Sequence, residues 1–94
     1  MSNIQVEKID ATTFKVQVSG KSATTHMVTV KPDYAEKLTG RKLDLAGLAS
    51  LVEKSFEFLL EREPNTSILR SFELSVIGQY FPEYERVIRE KIKS

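Results

Sequence analysis

The sequence predicts an α+β fold. A three-stranded antiparallel β-meander packs against one long amphipathic helix, and short helical turns with a C-terminal helix complete a single domain over residues 1–94. Three observations carry this expectation. Apolar and polar residues alternate through the first thirty positions, the period of a half-buried strand. From Leu45 to Leu60 the apolar repeat lengthens to three and four residues, the period of a helix. Pro64 and Pro82 then cut the second half into short pieces, because the residue before a proline is pushed out of helical geometry.

Ile4 and Val6 alternate with Gln5 and Glu7 to give the first strand, and Asp10-Ala11-Thr12 supplies a turn. Phe14, Val16 and Val18 alternate with Thr13, Lys15, Gln17 and Ser19 in the clearest strand of the chain. Gly20-Lys21-Ser22 forms the next turn, where a glycine tolerates positive φ. A third strand covers Thr24 to Val30, with His26, Val28 and Val30 on the inner face and Thr25, Met27 and Thr29 on the outer one. Such a meander is apolar on one side only, and that side demands a cover.

Pro32 ends the strand and suits the start of a helix. Tyr34, Ala35 and Leu38 make a short helix stopped by Gly40. Asp44 is the expected N-cap of the long helix. Leu45, Leu48, Val52, Phe56, Leu59 and Leu60 form its apolar stripe, widened by Leu51 and Phe58, while Glu53, Glu57 and Glu61 lie on the wet face. Gly47, among Ala46, Ala49 and Ser50, suggests a close approach of backbone. After Pro64, Asn65, Thr66 and Ser67 are capping types, and Ile68, Leu69 and Phe72 are spaced as a helical turn. Ser75 caps a further turn with Val76, Ile77, Tyr80 and Phe81. Pro82 opens a last helix with Tyr84, Val87, Ile88 and Ile92 on one face, and with Glu85–Arg89 and Arg86–Glu90 as i,i+4 pairs.

Composition narrows the chemistry. Apolar residues make up 40% and charged residues 29%, an ordinary folded balance, and the net charge is +1. There is no cysteine, which excludes disulfides, thiolate metal centres and cysteine nucleophiles. The N-terminal stretch lacks a basic segment followed by an apolar run, and no apolar stretch reaches the roughly 20 residues that span a bilayer. The expectation is a soluble cytoplasmic protein without membrane association.

Catalytic constellations are hard to build from these residues. His26 is the single histidine, and no serine lies in a Gly-x-Ser-x-Gly elbow, so no Ser-His-Asp set is expected. Its plain role is to pack its ring at the sheet and bond locally. One histidine without cysteine is a poor metal nucleus, and no EF-hand spacing occurs. Of Glu57, Glu61 and Glu63, the first two share a helix face at i,i+4, but a wet surface does not desolvate a carboxylate enough for acid/base work. Gly20-Lys21-Ser22 lacks the earlier glycine of a phosphate loop. The sequence therefore predicts no catalytic, cofactor-binding or metal residue.

The segments TTFKVQV, THMVTV, SFEFLLEREPNTSIL and FELSVIGQYFPEYE together resemble a group of short bacterial proteins of uncharacterised function, over about Ile4 to Glu85. The Pro64 block and Tyr80 to Tyr84 are the most specific parts. The resemblance implies a small cytosolic bacterial protein with strands before helices. It brings no activity, cofactor or catalytic residue.

Two functional readings follow. Tyr80, Phe81 and Tyr84 are candidate partner-binding residues, because aromatic anchors dominate interface energetics; their spacing equally suits core packing. With no nucleophile–base set, metal cluster or phosphate loop in the sequence, the expectation is a non-enzymatic protein-binding or accessory module, a monomer or weak dimer, with an unknown protein as partner. The alternative is a ribbon–helix–helix-like DNA-binding dimer in which Thr25, Met27 and Thr29 enter the major groove and Lys31, Lys37, Arg41 and Lys42 meet phosphates. Two further strands, a first helix of barely two turns and a near-neutral charge weigh against a nucleic-acid partner.

Overall fold

A computed structural model describes residues 3–20 and 22–93, the side chain of Lys93 excepted. Its elements run β1 (Asn3–Lys8), β2 (Thr13–Ser19), β3 (Thr24–Thr29), α1 (Pro32–Thr39) and α2 (Leu45–Leu60). A 3-10 turn at Asn65–Ser67, β4 (Ser71–Glu73), α3 (Val76–Tyr80) and α4 (Tyr84–Lys93) follow.

The meander forms as its alternation requires. β1 pairs antiparallel with β2, placing Ile4 opposite Val18 and Val6 opposite Val16, and β2 pairs antiparallel with β3, placing Phe14 opposite Val28. The first turn is set by one carboxylate: Asp10 Oδ1 accepts from the backbone N–H groups of Thr12 and Thr13, each at 2.9 Å. Lys21, in the second turn, lies outside the described residues, and among those described only Gly40 has positive φ, at 77°.

The sheet has a fourth strand that the sequence reading missed. β4 pairs parallel with β3, with Val28 opposite Phe72, giving the order β1-β2-β3-β4. The expected helical turn at Ile68, Leu69 and Phe72 is therefore corrected: the 3-10 turn stops at Ser67, and Ile68 is already extended (φ −75°, ψ 138°). Ser71-Phe72-Glu73-Leu74 alternates polar and apolar, and the vacant edge of β3 supplies the pairing that decides in favour of a strand.

α1 and α2 form the crossover between β3 and β4. α1 starts at Pro32 and ends where Gly40 turns left-handed and its N–H reaches the Glu36 carbonyl at 2.8 Å. Asp44 caps α2 by accepting from the Gly47 N–H at 2.8 Å. The crowding at Gly47 comes from this cap: a Cβ there would stand 3.2 Å from Asp44 Oδ1 and from Leu43 Cβ and Cδ2. α2 buries Leu48, Leu51, Val52, Ser55, Phe56, Phe58 and Leu59. The stripe is thus rotated from the expected one: Leu45 is exposed, and Leu51 and Phe58 are full members of the core.

α4 closes the other side of α2. Tyr84 is fully buried, its ring edge-on to Phe58 at 5.3 Å and its hydroxyl 2.7 Å from Ser55 Oγ. Pro82 stands in the turn before α4 and not in its first turn, since the helix begins at Tyr84. Arg86 and Glu90 approach to 4.0 Å, whereas Glu85 and Arg89 both serve α1: Tyr34 donates to Glu85 at 3.0 Å and Arg89 donates to the Leu38 carbonyl at 2.9 Å.

Candidate functional site

The proline corner that follows α2 is held from both sides. Arg62 lies 3.6 Å over the Phe58 ring, donates to the Phe58 carbonyl at 3.1 Å and pairs with Glu83 at 3.2 Å and Glu61 at 3.3 Å. On the sheet side, Asn65 donates to the Ser22 carbonyl at 2.6 Å and to Thr24 Oγ1 at 2.9 Å.

His26 completes that link from inside the core. Its Nδ1 is 2.7 Å from the Leu69 carbonyl and its Nε2 is 2.9 Å from Thr24 Oγ1. A carbonyl only accepts, so Nδ1 carries the hydrogen. Nε2 then accepts from the Thr24 hydroxyl, whose oxygen accepts from Asn65. Burial holds the imidazole below its ordinary pKa, against the smaller opposing pull of the Leu69 carbonyl. His26 is a neutral girder between β3 and the segment 65–70, with its ring 5.3 Å from that of Phe56.

Beyond this corner an open apolar groove of about 340 Å³ is lined by residues of α2, segment 67–69, β4 and α3. Ile68 and Ile77, both core residues, and the partly buried Phe72 form its floor. Leu69, 49% exposed, and Tyr80, 68% exposed, stand on its rim. The single ionisable group among the lining residues besides the Tyr80 phenol is the Glu63 carboxylate, which has no ion-pair partner among the described residues.

The three aromatic candidates separate. Tyr80 and Phe81 line the groove, with Phe81 packed edge-on against Phe58 at 5.8 Å. Tyr84 is corrected to a core residue with no surface to offer a partner. Leu69, Phe72 and Val76 complete the groove and were missed, because the helical reading of 68–72 hid the strand that brings them together.

Of the residues of the DNA-reading alternative, Thr25, Met27 and Thr29 occupy the outer face of the sheet. Thr25 is exposed, Met27 and Thr29 are partly covered, and Lys31 pairs with Glu73 at 3.1 Å. β3, which carries the three sheet residues, is hydrogen-bonded to β2 on one edge and β4 on the other. Glu7 stands opposite Lys15 on the same face, so acids interleave the bases there. Lys37 and Arg41 lie with Arg89 around the C-terminal end of α1, where cations complement the helix dipole.

Among the described residues no group of three or more His, Cys, Asp or Glu could hold a metal ion, and no helix is long and apolar enough to cross a membrane. Glu57 and Glu61 are both exposed. Comparison with protein-family models, with curated proteins and with solved structures finds no match to this chain.

Proposed function

We propose that this protein is a non-enzymatic module that docks a protein partner in the groove between β4 and α3, acting in the bacterial cytoplasm as a monomer or weak dimer. One observation carries the reading. Two large apolar side chains, Leu69 and Tyr80, are held half-exposed or more on the rim of a groove whose floor is continuous with the core. A rim of that kind loses apolar surface to a partner at little cost in ordering, because the floor beneath it is already packed. The DNA-binding dimer is disfavoured because β3, which would have to pair with its copy in a second chain, already has a strand on each side.

The test is a photo-reactive benzoylphenylalanine introduced at Tyr80 and, as control, at Thr25, in cells of the native host. A discrete cross-linked protein species from Tyr80, absent from Thr25, supports the reading. Equal cross-linking from both positions, or none from Tyr80, rejects it. Titration of duplex DNA at low salt is expected to give no saturable binding.

A further inference from the structure

Resting on the docking reading above, we infer that the occupant of the groove is an extended segment of the partner that adds as a fifth strand to the free edge of β4. Its apolar side chains would alternate, and it would carry a lysine or arginine to meet Glu63. The strand chemistry comes from the register. The Met27 N–H donates to the Arg70 carbonyl at 2.7 Å, and the Leu74 N–H donates to the Thr29 carbonyl at 2.9 Å. Main-chain groups of alternate residues face the same way, so those of Arg70, Phe72 and Leu74 face β3 while those of Ser71 and Glu73 face the edge that no strand covers among the described residues. Ser71 is exposed there.

The side-chain chemistry comes from the two faces beside that edge. Phe72 points to the inner face and lines the groove, so alternate residues of an added strand enter the groove next to it. Those positions suit valine or leucine against Ile68, Phe72, Val76 and Tyr80. The residues between them fall beside Ser71 and Glu73 on the polar outer face, where threonine fits. Glu63 is a carboxylate in an apolar groove without an ion-pair partner among the described residues, and a cation on the occupant complements it. β4 is short, so a segment of about six residues spans the site at ~3.3 Å per residue.

The probes are two capped hexapeptides, acetyl-Lys-Thr-Val-Thr-Leu-Thr-amide and the reversed acetyl-Thr-Leu-Thr-Val-Thr-Lys-amide, followed by amide chemical shifts of the whole chain. One of the two is expected to shift Leu69, Ser71, Phe72, Glu73 and Tyr80 saturably, with a Kd of about 0.1–1 mM. Which one binds gives the strand direction. Glu63→Gln is expected to weaken that peptide several-fold and to leave its Lys-to-Gln analogue unchanged. Two N-methylated forms complete the test, one methylated on its threonine nitrogens and one on its apolar residues. Only one set of N–H groups faces β4, so one form must lose binding at least ten-fold and the other must keep it.

If both methylated forms bind like the parent, strand addition is wrong. If neither hexapeptide binds at several millimolar while the Tyr80 cross-link forms, the strand chemistry fails and the docking reading survives. If neither binds and no cross-link forms, both fail.

Discussion

Ser55 and Tyr84 offer a test of how the buried polar groups between α2 and α4 share their hydrogen bonds. The Ser55 hydroxyl is 2.7 Å from the Leu51 carbonyl, which only accepts, so Ser55 donates to it and the Tyr84 hydroxyl donates to Ser55 Oγ. Tyr84→Phe removes one bond and leaves Ser55 still donating, a loss of about 1 kcal/mol. Ser55→Ala strands a phenol hydroxyl in a fully buried site at a cost of ~1–3 kcal/mol, offset by about 0.5 kcal/mol of helix propensity. The double variant removes both polar groups, so adding Tyr84→Phe to Ser55→Ala is expected to be neutral or to restore up to ~1 kcal/mol. Urea denaturation reads this directly: at a slope of roughly 1 kcal/mol per molar, each kcal/mol moves the midpoint by about 1 M. A Tyr84→Phe cost of the same ~1 kcal/mol in both backgrounds would show that the two hydroxyls do not form this pair.

Three further outcomes are expected. His26 is neutral and held below its ordinary pKa by burial, so the unfolded chain takes up a proton first as pH falls through about 6.5; stability declines below that point, and His26→Gln flattens the decline in denaturation midpoints measured at pH 7 and pH 5. Burial raises the phenols of both Tyr84 and Tyr34, with the charges around Tyr84 and Glu85 adding to the rise at Tyr34. The unfolded chain therefore loses those protons first above about pH 10, stability falls by up to ~1.4 kcal/mol per pH unit at the buried Tyr84 and by less at Tyr34, which solvent screens, and Tyr84→Phe removes the larger part of that slope in alkaline melts. Phe56→Ala, deleting a fully buried ring between His26 and Phe72, is expected to cost ~3–5 kcal/mol in chemical denaturation; a loss under 1 kcal/mol would mean that the α2 face is misplaced.

Local chemistry was legible wherever a residue acts on its neighbours in sequence. Asp10 turns the first hairpin, Gly40 stops α1 and Asp44 caps α2, each through bonds made within four residues. The alternation of Phe14, Val16, Val18, His26 and Val28 gave the inner face of the meander in the same way. Where partners are remote, the pattern misled. Phe72 is a strand residue because Val28 waits beside it, 44 positions earlier, and a spacing rule over 68–72 cannot see that edge. Glu85 and Arg89 have the spacing of a helical pair yet are drawn to Tyr34 and Leu38, each 51 positions away. The same limit governed the site: Tyr80 and Phe81 stood out as aromatics suited either to a partner or to the core, but the strand that makes them part of a groove was not visible.

The parallel arrival of β4 has a consequence for the order of assembly. The hairpins of β1 to β3 need no residue beyond 29 to close, whereas the far side of β3 must wait for two helices and the proline corner before Ser71–Glu73 reaches it. During that interval a half-finished sheet offers its raw margin to any nascent neighbour. The bond from Leu69 to His26, spanning 43 positions, is then what fastens the late-arriving segment to the sheet that waited for it.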